Sequence, residues 1–155
     1  MSNFLSISKA KWDDVKAIRN SLSGSEVLFD TISFDYMTIT IYADFERELN
    51  SLIMKKLSEN EFSKKYATFV KSKFKQLHGG LKGDTFKDLI HDVFSNAITT
   101  GDKDWMIYCD FIKFRNSISH DDNYEMKKNT LISNIQSFDD ILDILTKYLN
   151  ALEEI

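Results

Sequence analysis

Proline is absent from all 155 residues of this chain, and no other single feature narrows its possible folds as much. Proline breaks helix interiors because it lacks a backbone donor and clashes with the preceding turn, so a chain that never uses it leaves its helices free to run long. The glycines fall at natural breaks: Gly24, then Gly79, Gly80 and Gly83 in "HGGLKGD", then Gly101. Between them lie apolar residues at helical spacing, with no internal repeat, low-complexity tract or linker composition. The expectation is an all-α, up-and-down helical bundle of about five to six helices in a single domain over residues 1–155.

The spacing predicts helices over about 10–22 and about 31–58, the second carrying Ile41, Tyr42, Phe45, Leu49, Leu52 and Ile53 on one side. A third starts at Asn60, with Phe62, Tyr66, Phe69, Val70, Phe74 and Leu77 on one face, and stops at Gly79. Asp84 or Thr85 caps a short fourth helix reaching about Asn96, and Asp102 or Asp104 opens a fifth that runs to about Ser119. The last begins near Asn129 and continues to the end, with a break near Ser137. One segment, "TISFDYMTITIYA", is dense in β-branched residues and alternates like a strand. It runs without a turn signal into "DFERELNSLIMKKL", so helix is expected there too.

A net charge of -4 argues against nucleic-acid binding through bulk electrostatics alone. The charge is uneven, however: Lys55, Lys56, Lys64, Lys65, Lys71, Lys73, Lys75, Lys82 and Lys87 face few acids, whereas Asp139, Asp140, Asp143, Glu153 and Glu154 gather near the end. Lys71, Lys73 and Lys75 are candidate RNA contacts, and the alternative is a lysine face that serves only solubility. Cys109 is the single cysteine, which excludes an internal disulfide and a cysteine-based zinc site. No apolar run approaches the length of a membrane span and the first residues lack a secretory signal, so a cytoplasmic protein without membrane contact is expected. No P-loop, HExxH motif or clustered His-carboxylate set is present, and no cofactor or metal is implied. His78 and His91 sit in neighbourhoods without catalytic partners.

The stretch "FIKFRNSISHDD", residues 111–122, carries most of the functional information. At 100° per residue, Trp105, Ile107, Tyr108, Cys109, Phe111, Ile112, Phe114 and Ile118 form a wide apolar arc, with Asp110, Lys113 and Ser117 opposite. Arg115 falls near the middle of that arc, Asn116 and Ser119 inside it, and His120 at its edge. A guanidinium there needs an anion, a cavity or water. Glu46 lies on the apolar arc of the second helix, with Tyr42, Leu49 and Ile53 around it and Asp44, Arg47 and Ser51 on the polar side. It is the expected partner that orients Arg115 across the core. A packing ion pair is the competing explanation, but it leaves Asn116, Ser119 and His120 at the same end unexplained.

These residues resemble the signature of the HEPN superfamily, small helical bundles with an R-N-x-x-x-H pattern near a helix end. "YADFERELNSLI" is similar to the second-helix "FE" segment of the RiboL-PSP type of HEPN domain. The spacing alone arises by chance in about one chain in a hundred of this length, so it gains weight from the apolar arc that holds it. Asp121 and Asp122 stand where a small residue, often glycine, follows the His in the commoner pattern. Tyr124 lies four residues after His120, whereas HEPN proteins paired with nucleotidyltransferases carry a Tyr two residues after it.

The resemblance implies a metal-independent endoribonuclease of a toxin or antiviral-defence system, working as a homodimer with both motifs at the interface. RNA is cut without metal when its 2′-hydroxyl attacks the adjacent phosphate. His120 would be the acid or base, Arg115 would clamp the phosphate and Asn116 would donate a hydrogen bond, with Glu46 and Ser119 in support. One chain has one such His; two chains supply acid and base together. The alternative the family allows is a non-catalytic interaction module that meets an antitoxin, sensor or other partner protein.

Overall fold

The stretch that alternates like a strand lies inside the longest of the described helices. A computed structural model of the protein describes residues 2–59, 86, 97–120 and 123–154, and over these every regular element is an α-helix. In chain order they are α1 (Ser6–Ser21), α2 (Glu26–Ser58), α3 (Lys103–His120), α4 (Tyr124–Asn134) and α5 (Phe138–Glu153). The expected helices from Asn60 to Gly79 and up to Asn96 lie outside the described residues, apart from Phe86.

α2 has 33 residues and is therefore about 50 Å long. Its β-branched start is helical because Met37, Thr38, Ile41, Tyr42 and Phe45 are buried at helical spacing, which outweighs a weak strand propensity. Thr31 and Thr38 donate their hydroxyls to Val27 O at 2.9 Å and Phe34 O at 2.8 Å, so neither leaves a polar group stranded. The helix starts five residues before the expected position 31, after Gly24 and Ser25 turn the chain with φ of 87° and 60°. Glu26 accepts from the Gly24 N–H at 2.8 Å and closes that turn.

α1 begins at Ser6 rather than about 10, and no side chain caps it from its own sequence. Asp44 of α2 does so instead: it accepts from Ser8 N at 2.9 Å and Ser8 Oγ at 2.8 Å, meeting a free donor of the first turn with negative charge. Asp44, expected on the polar side of α2, is 4% exposed. α3 opens on Asp102, whose carboxylate accepts from Trp105 N at 2.8 Å. The expected final helix is two helices. α4 starts at Tyr124 rather than Asn129, and Ser137 caps α5 in a box with Asp140.

α5 commits Phe138, Ile141, Leu142, Ile144, Leu145, Tyr148, Leu149 and Leu152 to the core. α2 packs on α1, α3 and α5, while α3 also packs on α4 and α5. Where α2, α3 and α5 meet, Phe45, Phe86, Tyr108, Trp105 and Tyr148 pack ring on ring with centroids 5.0–6.4 Å apart. Burial there pushes the Tyr108 and Tyr148 hydroxyls well above the ordinary tyrosine range. Phe45→Ala would leave a cavity at this junction and cost about 3–5 kcal/mol.

Candidate functional site

The C-terminal half of α3 is held by Phe111, Ile112 and Phe114, all nearly fully buried. Phe114 packs on Phe34 of α2 and Tyr124 of α4, each with a centroid distance of 5.4 Å. These contacts set the rotation of α3, and with it the direction of the next residue. Arg115 is half-buried, its guanidinium carbon 4.0 Å from the centre of the Tyr42 ring. Its Nη1 donates to Asn116 Oδ1 at 3.2 Å. A cation on an aromatic face gains about 0.5–2 kcal/mol, so the ring supplies part of what a carboxylate would have supplied.

Glu46 is also half-buried, one turn beyond Tyr42 on α2. Both charges act on the Tyr42 hydroxyl, whose pKa is raised first by burial and then by Glu46, with Arg115 pulling it down. Among the described residues, however, no hydrogen bond or ion pair joins Glu46 to Arg115. The expected salt bridge is replaced by the Tyr42 face, and no other described carboxylate pairs with the guanidinium.

The rest of the motif lies further out. Asn116 is half-buried, and His120, the last residue of α3, is exposed. His120 stands about 7.5 Å along the axis from Arg115 and about 140° around it, with Asn116 one turn before it on nearly the same side. Ser119 was expected inside the apolar arc and is exposed, whereas Ser117, expected opposite that arc, is buried and donates to Phe114 O at 2.6 Å. Ser117 lies three residues after Phe114, so its spacing already placed it beside the core. Asp121 and Asp122 lie outside the described residues, as do Lys71, Lys73 and Lys75.

A second polar group, which no local spacing signals, joins Asp35, Tyr124 and Lys128. Tyr124 Oη donates to the Asp35 carboxylate, 2.7 Å from each oxygen, and Lys128 Nζ reaches the same hydroxyl at 3.2 Å. Lys128 is 9% exposed, 3.8 Å from Asp35 Oδ1, and its ammonium lies 5.4 Å from the Phe34 and Tyr124 ring centres. Burial, followed by the Asp35 hydrogen bond, raises the Tyr124 hydroxyl far above its ordinary value. This set ties α4 to α2 directly after the motif helix.

Among the described residues no group of three or more His, Cys, Asp or Glu could hold a metal ion, and no helix is long and apolar enough to cross a membrane. Comparison with protein-family models, curated proteins and solved structures finds no match to this chain.

Proposed function

We propose that the protein is a metal-independent endoribonuclease of toxin or antiviral-defence type, built on a HEPN-like bundle. The observation that carries this reading is Arg115: a half-buried cation positioned by Tyr42 and Asn116, with no carboxylate partner among the described residues, on the same helix end as an exposed imidazole. A guanidinium held against an aromatic ring keeps its donor edges for a phosphate, which it binds with two parallel hydrogen bonds. Charge developing on the phosphate in the transition state is what such a group stabilises.

In the proposed reaction the RNA 2′-oxygen forms a bond to the adjacent phosphorus and its proton passes to one His120. The bond from phosphorus to the 5′-oxygen breaks, and that oxygen takes a proton from the His120 of a second copy. The products are a 2′,3′-cyclic phosphate and a 5′-hydroxyl. A homodimer supplies both imidazoles, and α2 carries a face suited to a protein partner. Leu28, Ile32, Tyr36 and Ile39 are exposed there at spacings of four, four and three residues, forming one apolar stripe.

That same stripe favours the second reading, a non-catalytic HEPN-like module that receives an antitoxin or sensor protein. Cleavage of a mixed RNA pool in EDTA, by wild type and by His120→Ala, separates the two. Cyclic-phosphate ends that disappear in the variant support the nuclease. Inactivity of two equally well-folded proteins supports the module, and a requirement for magnesium overturns the proposed chemistry.

A further inference from the structure

A cavity of about 340 Å³ opens between α1, the first turns of α2 and the turn that joins α4 to α5. That volume is in the usual range of small-molecule sites. Four aromatic rings wall it: Trp12, Phe29, Phe34 and Phe138. Trp12 meets Phe138 edge-on at 5.3 Å, and Phe34 meets Phe138 at 4.8 Å with a tilt of 41°. Flat apolar walls set at different angles suit a flat guest better than an alkyl chain, because a planar ring can stack on one wall and meet the edge of another.

The polar groups around the cavity have the chemistry of base recognition. Asn20 and Gln136 bring side-chain amides, each with a donor and an acceptor. Ser33 and Ser137 also line the cavity, but their hydroxyls already donate to Asp30 O and the Asp139 carboxylate. Lys16 and Arg19 add cations. Both are engaged in pairs that are weak at such exposure: Lys16 with Asp13 at 3.4 Å and Asp139 at 3.9 Å, and Arg19 with Asp30 at 2.8 Å. A phosphate can therefore compete for them. Trp12 Nε1 is buried without an acceptor among the described residues, so the ring is held in the wall by packing, edge-on to Phe138, rather than by a hydrogen bond.

We infer that this cavity is a nucleobase-binding site, filled by a base of single-stranded RNA or by a free nucleotide, with Lys16 and Arg19 holding the attached phosphate. The inference deepens the ribonuclease reading and rests on it for the RNA source of the base. Single-stranded RNA is typically read in this way, by bases splayed onto aromatic side chains and hydrogen-bonded along their edges. The cavity is also linked to the motif. Phe34 forms one wall and packs on Phe114, the residue before Arg115. Along α2, Phe34 is about 12 Å from Tyr42, within reach of a strand of a few nucleotides.

The test uses the full chain and the two indole N–H resonances of Trp12 and Trp105, assigned with Trp12→Phe. The probes are the four nucleoside 5′-monophosphates and 2′-O-methyl RNA hexamers, which lack the attacking hydroxyl and cannot be cut by this chemistry. The expected result is a saturable shift of the Trp12 signal with that of Trp105 unmoved, and an affinity about tenfold weaker in Asn20→Ala/Gln136→Ala, whose changes lie at the cavity's polar edge. Tighter binding of hexamers than of monophosphates identifies the strand as the source; the reverse order identifies free nucleotide. A Trp12 signal that ignores every nucleotide probe, or that answers only to decanoate, overturns the inference, and RNA cleavage through His120 stands in that case. A Trp12 shift in a protein that cuts no RNA keeps the site and removes the nuclease.

Discussion

Asp44 on α2 and Arg115 packed against α2 are both charged groups drawn out of water, but only one is enclosed by its own chain. Asp44 accepts from Ser8 twice and pairs with Arg47, so its oxygens have partners and its position is accounted for by the capping of α1. Lys128 is similar, closed in by Asp35, Tyr124 and two ring faces. Arg115 has a ring and a neutral amide, and its helix ends in an exposed His120. Burial has a demanding partner requirement, and the first two sites meet it from within. The third meets it in part, and in the proposed function an external phosphate supplies the remainder.

The largest test of this contrast is at the open site. His120→Ala should lower RNA cleavage by about a hundred- to ten-thousandfold in single-turnover assays while leaving the melting temperature unchanged, because the side chain is exposed. Arg115→Ala should lower cleavage by about a hundred- to a thousandfold, and Arg115→Lys should recover only part of it, since a lysine cannot form the two-pronged phosphate contact. If Arg115→Ala instead unfolds the protein, Arg115 belongs with the enclosed group and the contrast collapses.

At the closed sites the effects should appear in stability. Asp44→Ala strands the Ser8 donors, and urea denaturation should show a loss of about 2–3 kcal/mol without a change in cleavage per folded molecule. Tyr124→Phe should cost about 1 kcal/mol near neutral pH by removing the hydrogen bonds to Asp35. Its pH dependence gives a finer check. The folded-state pKa of Tyr124 lies above the ordinary value of 10.0, so its contribution is whole below that pH and declines above it, where the unfolded chain gives up its proton first. Between about pH 10 and pH 12, wild type should therefore lose stability more steeply than Tyr124→Phe. The smallest effect is expected for Glu46→Gln, within about 0.5 kcal/mol, because no described contact joins it to Arg115. A loss of several kcal/mol would restore the ion pair that the geometry replaces with Tyr42.

Much of this architecture is legible residue by residue. Ser137 and Asp102 announce the starts of α5 and α3 because their short oxygens lie where helix donors are free. The apolar arc of α3 identifies Arg115 as a problem before any coordinates are known. The start of α1 is not legible, because its cap comes from Asp44, 36 residues away. The polar face expected for Asp44 is not where it lies, because the same side of α2 holds Met37 seven residues and Ile41 three residues before it, both fully buried. The early start of α4 was equally hidden, since Tyr124 is drawn in by Asp35 from 89 residues away.

Over the described residues, local spacing and the absence of proline were enough to determine helical elements, their broad order and the placing of Arg115, Asn116 and His120 at one helix end. Periodicity reports which side of a helix is apolar, because each turn repeats the same angle. Tertiary packing alone decided that the partner of Arg115 is the Tyr42 face rather than Glu46, that Ser119 is exposed, and that Trp12, Phe29, Phe34 and Phe138 surround a cavity. Those outcomes depend on how helices rotate and approach one another, which is set by contacts between residues far apart in the chain.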